Sequence, residues 1–183
     1  MRGFLLLAMF LAAPFWETKD PSDWTVAEAQ QLITSSPWVQ SDGVAIMLVS
    51  AKPMQAAEAL LRKKKPRGDA PDDTDYEDFL EDSKGKYLVV AVPLPVNALA
   101  NAREARRMEE ESVLKVGKKK YKMTGHFAPT PGDPFLRMVF PKDGIVKGVK
   151  SFVLELYLPI APDPYREAEF ALEDLMWKGK LEL

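Results

Sequence analysis

Fifteen prolines and ten glycines are spread over 183 residues, and this punctuation limits the fold more than any other feature. A proline has no backbone N–H and its ring clashes with the preceding helical turn, so most prolines end or bend an element. The spacing implies many loops and argues against a helical bundle. Hydrophobic residues make up 46% and charged residues 28%. That is an ordinary globular composition, sufficient for one domain of normal size. The expected class is α+β: a mainly antiparallel sheet of about six or seven strands with two or three helices packed on it.

The first segment that reads as folded structure is residues 24–38, with a tryptophan at each end. Thr25 followed by Glu28 fits a capping box, in which each residue satisfies a free N–H of the other's backbone. Val26, Ala29, Leu32 and Ile33 fall on one helical stripe. Ser36 and Pro37 stop the helix. Trp24 and Trp38 are read mainly as core residues pinning this helix to a sheet. The functional alternative is a tryptophan pair forming a ligand platform.

Strand signals follow. Residues 43–50 are a nearly continuous apolar run, as in a buried central strand. Pro53 suits the first turn of a helix over 53–64, with Met54, Ala57, Leu60 and Leu61 on one face. A second strong strand spans 86–92. Residues 97–112 read as an exposed helix, 113–123 as a hairpin about Gly117–Lys118, and 124–134 as a loop. Strands over 135–140 and 150–158 come next, the latter with Phe152, Leu154, Leu156 and Leu158 on one face. Residues 165–178 carry both helical propensity and strand alternation. The reading favours a strand over 165–172 and another over 179–183.

Residues 1–13 have the form of a secretory signal peptide, with Arg2 before the apolar run from Phe4 to Leu11. Ala12 and Ala13 offer small residues for cleavage, and an uncleaved anchor is the alternative. The apolar run is too short to span a bilayer, which takes about 20 residues. Residues 14–23 read as an extended linker and 24–183 as a single domain. The localisation expected is periplasmic or extracellular. There is no cysteine, which excludes disulfides, thiol catalysis and cysteine-ligated metals. The formal charge of −2 supplies no general attraction to nucleic acid or anionic lipid.

No motif reaches a specific chemistry. His126 is the single histidine, in T-G-H-F-A-P-T-P-G-D-P. As a general base it needs a carboxylate or nucleophile within hydrogen-bond reach, for which Asp133, Asp143 or the Asp72–Asp78 cluster are candidates. Asp73, Asp75 and Glu77 alternate like the start of a calcium loop. Asp78 stands where the loop glycine belongs, and Lys84 where a bidentate glutamate belongs, so a solvated acidic face is the better reading. Gly144 to Ser151 has three residues between its glycines, Val149 before the lysine and a strand after it, so it is not a phosphate-binding loop. The basic runs 62–67 and 118–122 read as solvated tips. No cofactor and no nucleic acid are expected; the partner is an unspecified protein or small ligand.

Two end motifs together carry a resemblance. Trp24, Thr25 and Glu28 with Ser36, Pro37 and Trp38 form one. The ending from Phe170 to Leu183, F-A-L-E-D-L-M-W-K-G-K-L-E-L, forms the other. The pair resembles a set of uncharacterised exported bacterial proteins common in Acidobacteria. The S-A-K-P-M-Q-A-A step at residues 50–57 fits the same set, while residues 62–85 and 97–133 match it poorly. The resemblance implies export and a single α+β domain, and it carries no activity, cofactor or catalytic residue. The functional expectation is a non-catalytic exported binding or assembly module. A carboxylate-metal or His126-dependent hydrolase is the alternative.

Overall fold

The computed structural model describes residues 13–64, 75–145 and 148–183. The first half of the chain runs α1 (Phe15–Thr18), α2 (Val26–Ser35), β1 (Val39–Ser41), β2 (Ala45–Leu48), α3 (Lys52–Lys64), α4 (Asp75–Ser83) and β3 (Tyr87–Pro93). Then follow α5 (Ala102–Glu111), β4 (Val113–Val116), β5 (Lys119–Lys122), β6 (Gly125–Phe127) and β7 (Phe135–Pro141). The last elements are β8 (Ser151–Tyr157), β9 (Tyr165–Ala171), β10 (Met176–Trp177) and β11 (Lys180–Leu181). The fold is α+β, with strands that pair antiparallel throughout the described residues. Eleven strands appear among those residues where six or seven were expected. The surplus lies in pieces of two or three residues, too short to show a period.

A five-stranded sheet has the order β1-β2-β3-β7-β6, and a four-stranded sheet the order β5-β4-β8-β9. Their stacking follows from alternation. On β3 and β7, one face carries Tyr87, Val89 and Ala91 opposite Pro141, Val139 and Arg137. Helices α3 and α4 cover this face: Tyr76 and Phe79 of α4 pack on Phe127, and Phe79 also on Tyr87. The other face carries Leu88, Val90 and Val92 opposite Phe140, Met138 and Leu136, all fully buried. These residues share one core with Phe152, Leu154, Leu156 and Phe170 of the four-stranded sheet. The second sheet therefore covers the face that the helices leave, giving three layers. Its own outer face is polar, with Lys115 and Lys120 both paired to Glu155.

Helix α2 begins as its spacing predicts. Glu28 N–H donates to Thr25 Oγ1 at 3.2 Å, and Thr25 N–H donates to Glu28 Oε2 at 2.8 Å. The helix packs on α3. The hairpin over 113–123 forms about Gly117, whose φ of 58° is the left-handed conformation that suits glycine.

Several segments differ from expectation. Residues 14–23 are not extended: they hold α1 and a 3₁₀ turn, Pro21–Asp23. Phe15 and Trp16 pack edge-on against each other, and Trp16 lies edge-on to Trp38. Apolar side chains, which would not stay in water as a linker, order this segment. Residues 124–134 contain β6, which pairs with β7 over Gly125–Phe127. Residues 165–178, by contrast, follow the favoured strand reading and form strand, turn and strand. Apart from Ala13, the expected signal segment lies outside the described residues. Among the described residues, no helix is long and apolar enough to cross a membrane.

Candidate functional site

The sequence candidates are dispersed. Trp24 and Trp38 are 5% and 0% exposed. Phe15 packs edge-on to Trp24, and Trp38 Nε1–H donates to the Glu182 carbonyl at 2.8 Å. Both rings are enclosed by protein, which leaves no platform face. His126 sits on β6, and its Nδ1 lies 3.3 Å from Glu109 of α5. Its carboxylate neighbour is thus Glu109. Asp133 is occupied with Arg137, and Asp143 is exposed in the turn after β7. Of the calcium-loop candidates, Asp73 lies outside the described residues. Asp75 and Glu77 stand in the first turn of α4, two residues apart and so on different helix faces. Glu77 is ion-paired to Arg62. Among the described residues, no group of three or more acidic or histidine side chains is placed to hold a metal. Gly144, rejected as part of a phosphate loop, has a packing role. A Cβ there would collide with the Tyr121 ring.

A different cluster emerges along α3. Met54 and Ala57 turn into the core. Residues Lys52, Gln55, Glu58 and Arg62, at helical spacing, face α4, which presents Glu77 and Glu81. Between the two helices lies a cavity of about 540 Å³. It adjoins a second of about 490 Å³, and the two share Lys52, Gln55 and Leu80. The second is walled further by Lys84, Lys142 and Glu182. The pair makes one groove running along α3. His126 lines neither part.

The groove is backed by a buried ionic network. Arg137 is only 2% exposed. Its Nε donates to Asp133 Oδ2 at 2.8 Å and its Nη2 to Glu58 Oε1 at 3.1 Å. The guanidinium carbon stands 4.0 Å from the centre of the Tyr76 ring, a cation–π contact. Register explains the placement: Arg137 opposes Ala91 on β3, on the helix-covered face. Burial pushes the Glu58 carboxyl above its ordinary range, and Arg137 only partly opposes it. Burial also pushes up the Tyr76 hydroxyl. At the other end, burial and the nearby Lys52 lower the Lys142 ammonium, against the pull of Glu182. Lys142 donates to the Leu183 main-chain oxygen, and Lys52 pairs with Glu182 at 3.1 Å.

Sequence reasoning did not single out Glu58 or Arg137. The one signal was an arginine inside the apolar run F-L-R-M-V-F, where a charge is buried only with a partner. Lys84 is held at φ 48°, a conformation rare outside glycine, at the rim of the groove. Such an arrangement can hold and orient a polar ligand between fixed charges. Comparison with protein-family models, with curated proteins and with solved structures finds no match.

Proposed function

We propose that the protein is an exported, non-catalytic binding module, and that the groove along α3 holds its ligand. The observation that carries this reading is the buried Glu58–Arg137–Asp133 network behind the groove wall. It fixes a polar surface at a concave site, as ligand sites do. Export rests on the signal-like residues 1–13, and membership of the acidobacterial set of exported proteins on the two end motifs. Among the described residues lining the groove, none is arranged as nucleophile and base. The partner is a small polar ligand or an exposed part of another protein.

The test is a ¹H–¹⁵N spectrum titrated with amino acids, short peptides, sugars and nucleotides. Shifts clustered at residues 52–62, 77–85 and 142 support the groove. Shifts confined to other surfaces, or none with any class, remove it. The hydrolase alternative has one observation in its favour, the His126–Glu109 pair. Turnover of p-nitrophenyl esters that disappears in His126→Ala would establish it in place of the binding reading.

A further inference from the structure

Among the described side chains, the two ends of the groove carry opposite charge. At the Lys52 end stand Lys52, Lys84 and Lys142 against Glu182, a formal +2. At the Arg62 end stand Glu58, Glu77 and Glu81 against Arg62, a formal −2. Arg137 and Asp133 behind the wall cancel each other and do not change this balance. Helix α3 reinforces the gradient. Its positive N-terminus lies at the lysine end, and its negative C-terminus at the glutamate end. From Lys52 to Glu58 is six residues, about 9 Å at the rise of an α-helix.

We infer that the groove takes a short zwitterionic peptide, its α-carboxylate between Lys84 and Lys142 and its α-ammonium beside Glu58 and Glu81. This rests on the binding-module reading and specifies its ligand. A peptide is the class that carries one full positive and one full negative charge at the ends of a neutral, extendable chain. At about 3.4 Å per residue, about 9 Å corresponds to about three residues. Among the described residues, Lys142 spends one of its three donors, on the Leu183 main-chain oxygen. Two remain for a carboxylate. Gln55 lies midway and is shared by both parts of the groove. Arg62 and Glu77 bridge the glutamate end as an exposed ion pair. Such a pair is weak enough to open for an ammonium.

The experiment titrates the full chain with trialanine in four forms: free termini, N-acetylated, C-amidated and doubly blocked. Binding is read by ¹H–¹⁵N shifts at low ionic strength. The free form should bind, and each single block should weaken it about two- to fivefold, as the loss of one partly screened charge pair. Lys142→Gln should weaken the free form as much as amidation does, and amidation should then have no further effect. Glu81→Gln should behave the same way toward acetylation. Both positions line the rim, and an unchanged thermal melt confirms that the variants fold. Equal binding of free and doubly blocked peptide overturns the inference, as does dialanine binding as tightly as trialanine. If a sugar or nucleotide shifts the groove residues and trialanine does not, the binding module stands and the peptide falls. If no class shifts them, the binding reading falls as well.

Discussion

Replacing Arg137 with methionine keeps most of the buried volume and removes the charge that Glu58 and Asp133 share. Asp133 is near enough to water to turn outward; its side chain is 31% exposed. Glu58, at 12%, is not. A buried carboxylate with no partner takes up a proton, which limits the penalty. Protonating a glutamate of ordinary pKa, about 4.3, costs about 3.7 kcal/mol at pH 7. That is the ceiling for the Glu58 share. In the wild type, burial already raises this carboxyl, so the expected loss at pH 7 lies below that ceiling. The sign follows from proton uptake. The variant's folded value lies above the wild type's, so its folded state binds the extra proton first. The stability gap therefore narrows as pH falls from 7 to the wild-type Glu58 value. Below that value it is flat, because both folded states are protonated. Urea unfolding followed by far-ultraviolet circular dichroism at pH 7, 5.7 and 4.5 measures the gap. Arg137→Met/Glu58→Gln should recover most of the loss and flatten the pH dependence. A penalty that is the same at all three pH values, or no recovery in the double variant, would refute the reasoning.

Trp38→Ala should cost about 3–5 kcal/mol through the cavity it leaves, and Trp38→Phe should separate out the bond to the Glu182 carbonyl as about 1 kcal/mol; chemical denaturation reads both. Gly144→Ala places a methyl against the Tyr121 ring and should cost about 1–3 kcal/mol as overpacking, with Tyr121→Ala reducing that increment in a double-mutant cycle. Thr25→Ala should lose about 1 kcal/mol of cap, seen as a lower melting temperature. Lys19 and the Thr25 backbone hold the Glu28 carboxyl at about 2. Its contribution is present above the ordinary glutamate range and fades as pH falls toward about 2, so an acid titration of Glu28→Gln against wild type should converge below that point.

Much of the architecture was legible because it repeats. The Thr25–Glu28 box, the alternation of Phe152, Leu154 and Leu156, and the Gly117 hairpin are local patterns, and each formed where its spacing indicates. What was illegible depends on contacts between distant residues. Phe15 and Trp16 looked like part of a linker because their partners come later in the chain, Trp24 for Phe15 and Trp38 and Trp177 for Trp16. Strand β6 has three residues, and its identity is set by β7. His126 acquires Glu109 only through packing. The groove was hidden for the same reason. Lysines and glutamates at helical spacing read as a solvated face, and only the α3–α4 pairing and the C-terminal wall make that face concave.

The two ends of the described chain are stitched together. Trp177 Nε1–H donates to the Trp16 carbonyl, Lys178 N–H to Glu17, and Lys178 Nζ pairs with Asp20, each across about 160 positions. Trp38 waits on Glu182 in the same way, 144 positions on. Contacts of such long range carry a large loop-closure entropy and slow folding. A chain delivered N-terminus first therefore cannot seal the pocket around Trp38 until the last hairpin has arrived. Until then Phe15, Trp16 and Trp38 lack the C-terminal cover they have in the folded chain, and such exposed apolar surface is what makes a folding intermediate prone to aggregate.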